Sequence, residues 1–437
     1  MLRIAFILSL IVTCLNAQSA PPLVRTVLAQ NQRVHWGIHA IQLKTGRVLA
    51  SFNADKFFIP ASNTKLFTSA YALAASSIDA GGGDPSLSAR VYPYNRDNPF
   101  GQDHLAPLRD LARQLQDQGV RHIAGRILGG DSQQAFDPVP NGWAAGDGLF
   151  ESGAPVSALS FNDSIFELRV NANGITLNPS VEYFALLNEI RTSPAEPRRI
   201  RIARQPGSRT VTLSGNLPPG AKEYSNELAV EDPALYAAVA FRQVLREEGI
   251  RVDGIAAARH LGPSNSEWVE LARRDSPPLE QLLQVVDKVS QNLHAELMLR
   301  AAKQAMPFAD FLKLAGIGEK EVNFEDGSGL SRLTLVTPKA MVQLLRFMDK
   351  QGQLERFRNF LPVGAEDGTL HNRFNNSPKA RAIRAKTGSL SHVSALAGYA
   401  DSKRYGPIAF QIVANNYNAP AQEVGAAIDR IALALLQ

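Results

Sequence analysis

The sequence predicts a mixed α/β chain of more than one domain, on three observations. A strand-like hairpin and a strongly apolar helical run stand next to each other near the front, at 34–53 and 61–75. The middle of the chain alternates short helical and strand-like pieces. Helices then dominate from Ser276, and strands return after Ala382. At about 100–200 residues per domain, 437 residues give two to three domains with ample length for a core.

Each element follows from its pattern. Val34–Ile41, a Lys44-Thr45-Gly46 turn and Arg47–Ala50 read as a β-hairpin. Pro60 precedes the apolar run Ala61–Ala75, which suits a buried helix. Gly81-Gly82-Gly83-Asp84-Pro85 breaks that pattern and lacks the Gly-Lys-Ser/Thr ending of a phosphate loop, so it reads as a turn. Leu105–Gln118 is amphipathic, and Ile123–Gly129, Ile165–Val170, Arg199–Ala203 and Thr210–Leu213 read as strands. Pro233–Glu248 is a helix leading into Ile250-Arg251-Val252. Helices follow at Leu279–Val289, Asn292–Ala305 and Pro338–Lys350, then strands at Ala382–Ala385, Ala395–Tyr399 and Ile408–Ala414. The closing helix, Val424–Leu436, carries the apolar stripe of a helix packed on a sheet.

Composition narrows the function classes. With 45% hydrophobic and 20% charged residues, the chain is not of disordered type. A net charge of +5 without a dense Lys/Arg run argues against nucleic acid as a partner. It is compatible with a weak attraction to acidic polymers, and so with weak membrane or cell-wall association. Arg3, the apolar run Ile4–Leu15 and the small residues up to Ala20 read as a secretory signal peptide over 1–20, cleaved after Ala17 or Ala20. The expected location is therefore exported, periplasmic or otherwise outside the cytoplasm. Cys14, the single cysteine, lies inside that leader, which excludes a Cys nucleophile, a Cys-based zinc site and an iron–sulfur cluster in the mature chain. His35 and His39 are the only close histidine pair, on a strand-like run; neither a metal nor another cofactor is expected.

Three short motifs carry chemistry. Ser62 sits at the start of the helix after Pro60, where backbone N–H groups lack helical partners, and Lys65 lies three residues on, on the same face. Leu66, Phe67, Ala70 and Leu73 make that setting unfavourable to an ammonium ion. A neutral amine one turn from a serine hydroxyl can act as its general base. The commoner fate of Ser-x-x-Lys is a capping serine and a snorkelling lysine, but Ser62 is the only serine here with lysine at i+3. Lys386-Thr387-Gly388-Ser389 follows a strand and suits a carboxylate: charge from Lys386, a hydroxyl from Thr387, close approach at Gly388, a backbone N–H at Ser389. Its other copy, Lys44-Thr45-Gly46, falls in the hairpin turn. Ser290-Gln291-Asn292 lies between two helical segments; Ser290 can relay a proton and Asn292 can hold a substrate amide. Ser-x-Asn recurs at 160–162 and 214–216, so position alone favours this copy.

In this order the three motifs match the site of penicillin-recognising serine acyl-transferases. Pro60–Leu66, Gly153–Leu159, Asp326–Arg332, Asp367–Leu370, Ala385–Leu390 and Ala397-Gly398-Tyr399 go further. Together they resemble the S13 family of D-alanyl-D-alanine carboxypeptidases/endopeptidases, over nearly the whole mature chain. The resemblance implies a DD-peptidase/β-lactamase-like transpeptidase domain, an antiparallel sheet flanked by helices, interrupted by a large α+β insertion. The first part would be 21–83, the insertion 84–265, in one or two subdomains, and the second part 266–437. It implies peptidoglycan stem peptides as substrates and β-lactams as covalent inhibitors. Ser62 would be the nucleophile, Lys65 its base and Ser290 a proton relay. Asn292, Lys386, Thr387, Gly388 and Ser389 would bind substrate, with the Ser62 and Ser389 N–H groups as oxyanion hole. One departure is the short run Ala74–Ala80, where members usually carry an additional strand-forming stretch; this implies an unpaired sheet edge in the insertion. The competing readings are a β-lactamase or esterase on the same scaffold, and a non-catalytic cell-wall binding protein.

Overall fold

The computed structural model describes residues 21–436 apart from 32, 76–83, 91, 93–102, 133–135, 262–268 and 375–376. The expected leader, the Gly81–Gly83 turn and most of the short run after the Ser62 helix lie outside the described residues. The chain divides into two compact units. One groups the described residues of 1–78, 283–291 and 302–437; the other groups those of 79–282 and 292–301. The second unit runs on past the expected end of the insertion at 265 to Leu282, and takes in the first ten residues of the helix Asn292–Ala305.

The first unit is built on a five-stranded antiparallel sheet. Its order is Ile383–Leu390, Val393–Ser402, Gly406–Asn415, His35–Gln42, Val48–Phe52. The strands come from both ends of the sequence: His35 pairs with Asn415 and Gln42 with Ile408. Successive side chains alternate between the faces. Ile38, Ala40, Leu396, Phe410 and Ile412 join Val24 and Val27 of the helix Pro22–Gln30 and Val424, Ile428 and Ile431 of the helix Ala421–Ala434 in one core. On the other face Phe58, Ala395 and Val413 form a second cluster. Because both faces are covered, Ile408–Ala414 reads as an almost unbroken apolar run rather than an alternating one. Each fully buried Val, Leu or Ile contributes about 1.5–3 kcal/mol, so this sheet is a rigid floor.

The second unit has its own core, in which Phe161, Phe166, Leu168, Val211, Leu213, Tyr236 and Val244 are buried. It holds two three-stranded sheets: Tyr224–Ala229, Ile165–Asn171, Gly174–Asn178, and Ala185–Arg191, Thr210–Asn216, Arg199–Ala203. The helix Pro233–Glu247 starts at Asp232, whose side chain accepts from the Leu235 N–H. The expected strand Ile123–Gly129 is two short strands, His122–Ile123 and Ile127–Gly130, each in parallel pairing with a different partner. The expected helix Leu279–Val289 also divides. Leu279–Gln284 is α-helical, and Val285–Val289 widens into a π-turn that ends at Ser290 with φ +68.

Candidate active site

The turn bearing Ser62 is strained by its setting. Ala61–Asn63 is a single 3₁₀ turn ahead of the α-helix Thr64–Ala74. Ala61 has φ +48, a left-handed conformation that costs a non-glycine residue roughly 1–2 kcal/mol. Its carbonyl accepts from Thr64 Oγ1 at 2.8 Å. Gly329 packs against the same carbonyl at φ +78, and a Cβ there would lie 1.9 Å from the oxygen. The glycine of Asp326–Arg332 is thus what lets that loop close on the Ser62 turn. Asp326 organises the loop: it is fully buried and accepts from Ser328 Oγ, the Ser331 N–H and Thr334 Oγ1, each at 2.9 Å.

Lys65 is fully buried, not snorkelling. Its Nζ donates to Ser62 Oγ at 3.0 Å and to the Ser328 carbonyl at 2.7 Å. The Asp326 loop therefore aims the lysine at the serine.

Lys386 is also fully buried, on the edge strand Ile383–Leu390. Its Nζ donates to Ser290 Oγ at 2.8 Å and to the Thr387 carbonyl at 3.0 Å, and its own carbonyl accepts from Asn63 Nδ2 at 2.6 Å. Burial pushes its ammonium well below the ordinary lysine range. The Lys65 charge pushes the same way and Asp287 opposes it. The two lysines thus lie near enough to act on each other, although 321 positions separate them. Gly388 lets the strand approach the Ser62 turn, since a Cβ there would lie 2.5 Å from the Pro60 carbonyl oxygen. Thr387 Oγ1 donates to Thr369 Oγ1 at 2.7 Å. On the outer edge of this strand the Ala385 N–H donates to the Pro362 carbonyl, and the Ile383 carbonyl accepts from the Gly364 N–H. Two-residue alternation carries the Thr387 and Ser389 N–H groups to that same edge, and Ser389 is exposed.

The structure thus brings Ser62, Lys65, Ser290, Lys386, Thr387, Gly388 and Ser389 into one unit, with hydrogen bonds linking the two Ser–Lys pairs internally. Asn292 is grouped with the other unit, where its Nδ2 donates to the Ser152 carbonyl at 2.7 Å. Ser69 and Asp287 lie outside every motif, whereas Asn63, Ser328 and Thr369 lie inside stretches that carry the family resemblance but have no role there from sequence. Asp287 is fully buried in the π-turn, and its Oδ2 accepts from Ser69 Oγ at 2.7 Å. Burial pushes its carboxyl up to about 7, against the Ser69 hydrogen bond and the charges of Lys386 and Lys65.

A serine hydroxyl in contact with a buried amine, with a second buried lysine on the sheet edge, is the arrangement of a serine hydrolase of the acyl-transfer type. The chain belongs to the D-Ala-D-Ala carboxypeptidase 3 (S13) family, whose model matches residues 23–80 and 76–435. It is 28% identical over 430 aligned positions to a D-alanyl-D-alanine carboxypeptidase of Actinomadura sp. (strain R39), covering 88% of this chain and 78% of that one. It is 26% identical to the D-alanyl-D-alanine carboxypeptidase DacB of Haemophilus influenzae over 87% of this chain and 85% of that one. The fold is that of penicillin binding protein 4 (dacB) from Haemophilus influenzae, with TM-score 0.79, 23% identity and coverage of 93% and 97%. A second structure of that protein, in complex with a β-lactam, gives TM-score 0.70 at 22% identity, covering 94% and 97%. The expected DD-peptidase architecture is therefore the observed one.

Proposed function

We propose that this peptidase cleaves the terminal D-Ala–D-Ala bond of peptidoglycan stem peptides, and the D,D-peptide bond that follows D-Ala in cross-links, through an ester on Ser62. The observation that carries the reading is the 3.0 Å contact from the fully buried Lys65 Nζ to Ser62 Oγ, in the unit whose sheet edge carries the buried Lys386. In the proposed reaction Lys65, whose Nζ lies 3.0 Å from Ser62 Oγ, accepts the hydroxyl proton as general base. The Ser62 oxygen attacks the penultimate D-Ala carbonyl. The oxyanion is held by the N–H groups of Ser62 and Ser389. Lys386 attracts the terminal carboxylate, with Thr387 and Ser389 as hydroxyl donors and Gly388 leaving room. The proton taken by Lys65 reaches the departing D-Ala amine through Ser290, which Lys386 holds at 2.8 Å. Water then attacks the ester, returning the proton to Ser62. A β-lactam would be opened by the same hydroxyl.

The action is proposed to take place outside the cytoplasm, because residues 1–20 read as a leader and no cysteine follows it. Amino-terminal sequencing of the exported protein should begin after Ala17 or Ala20. The function itself is tested by intact-protein mass spectrometry after incubation with benzylpenicillin. One penicillin mass mapping to Ser62 and persisting is the expected result. Rapid loss of the adduct would make the chain a β-lactamase instead, and no adduct at Ser62 would overturn the reading.

A further inference from the structure

We infer that Asn63 is a positioning residue that sets the gap between the two halves of the oxyanion hole, by tying the Ser62 turn to the strand that carries Ser389. This deepens the proposed function and rests on it. The two N–H groups come from separate pieces of chain, the turn Ala61–Asn63 and the edge strand Ile383–Leu390. An oxyanion needs both donors about 2.7–3.1 Å from one oxygen, and local sequence at neither place fixes that spacing.

Amide side chains hold the turn to the sheet. Ahead of it, Asn415 Oδ1 accepts from the Ile59 N–H at 2.8 Å and Asn415 Nδ2 donates to the Ile59 carbonyl at 3.1 Å, as a neighbouring strand would. Directly after Ser62, Asn63 is fully buried. Its Nδ2 donates to the Lys386 carbonyl at 2.6 Å and its Oδ1 accepts from Gln411 Nε2 at 3.3 Å. Lys386, Ala397 and Gln411 are register partners across three strands, so their side chains share a face. The small Ala397 leaves room for Asn63 between its two partners. In the next row on that face Gly388 pairs with Ala395 and Ala395 with Val413. There a Cβ on Gly388 would lie 2.5 Å from the Pro60 carbonyl oxygen and 3.3 Å from Ala61 Cβ. Two rows of the sheet thus receive the residues on either side of Ser62. The left-handed Ala61 persists because its surroundings over-determine it. Ser389 lies three positions along the strand from the carbonyl that Asn63 grips, so turn and strand N–H groups share one anchor.

The experiment compares the wild-type chain with Asn63→Ala and Gln411→Met, each normalised to the sites that titrate with benzylpenicillin. Asn63→Ala should lower kcat for an acid-ended peptide about 10- to 100-fold with KM nearly unchanged, because a misplaced donor is felt in the transition state. A peptide boronic acid becomes tetrahedral on the serine oxygen and places an oxygen in the hole, so it should bind more weakly by a similar factor. The terminal amide should lose as much as the acid. Gln411→Met removes the bond that orients Asn63, together with Gln411 Oε1, which is buried with no hydrogen-bond partner among the described residues. Its melting temperature should therefore hold or rise while kcat falls about 2- to 10-fold. Where Asn63→Ala does not fold, Gln411→Met decides. A lower melting temperature with unchanged kcat per titrated site would make the contact structural and overturn the inference, as would a higher KM at unchanged kcat. If the wild-type chain forms no adduct at Ser62, the proposed function fails; if it forms one and kcat per site holds in the variants, only the role of Asn63 fails.

Discussion

The two Ser–Lys pairs of the site look alike and are built differently. Lys65 reaches Ser62 at 3.0 Å within one helical turn, and its second bond goes to a loop carbonyl, that of Ser328. Lys386 reaches Ser290 at 2.8 Å across 96 positions, and its second bond goes to the carbonyl of its own neighbour, Thr387. The first pair is set by helix spacing and needs only the Asp326 loop to aim it. The second exists only when the edge strand and the π-turn are both in place. A local pair can keep its geometry through mutation of its surroundings, whereas a long-range pair is as good as the fold. The local pair is also the one proposed to do the bond-making chemistry, and the distant pair to recognise charge and move a proton.

The sharpest way to break the comparison is to remove the amine of the local pair. Lys65→Ala should lower the rate of Ser62 acylation by about 10²–10⁴-fold, the usual worth of a general base, while far-ultraviolet circular dichroism stays the same. Rapid-quench mass spectrometry with benzylpenicillin measures it. Acylation at the parent rate would show that Lys65 is merely a buried lysine.

Removing the distant amine should do something of another kind. Lys386→Ala should cost about 10²-fold in kcat/KM for a peptide ending in a free carboxylate, a loss typical of one missing electrostatic contact. The same peptide as a terminal amide should lose much less, so the preference for the acid collapses. Equal losses for both substrates would mean that Lys386 supports the cavity without reading the carboxylate.

The same contrast explains what the sequence discloses. Ser62 and Lys65 are legible because i, i+3 spacing puts them on one face. Lys386 is legible once Lys44-Thr45-Gly46 is assigned to a hairpin turn, which Gly46 at φ +73 occupies. Asp287 is not legible, since Val285-Val286-Asp287-Lys288-Val289 reads as ordinary helix until the π-turn and burial give the carboxyl its setting. Thr369 and Asn63 are common turn residues that gain a role only when the strand Ile383–Leu390 arrives beside them. The central strands of the sheet were found because both faces are apolar. The strand Ala185–Arg191 was not, because nearly all its side chains are exposed and it carries no two-residue alternation.

The smallest effect concerns the neighbour of Thr387. Thr387 Oγ1 donates to Thr369 Oγ1 at 2.7 Å when no substrate is bound. To meet a carboxylate, Thr387 must turn its proton outward, and Thr369 can then donate in its place, so the hydroxyl pair stays satisfied in both states. Thr369→Val keeps the shape but removes that exchange. A neutral hydrogen bond of this kind is worth about 0.5–1.5 kcal/mol, so KM for an acid-ended peptide should rise roughly 2- to 10-fold, with kcat nearly unchanged. The terminal amide should respond less, because it can itself donate to Thr387. Steady-state kinetics on the two peptides decide it. A fall in kcat with KM untouched would move Thr369 from carboxylate recognition to the acyl-transfer step, and so from the distant pair to the local one.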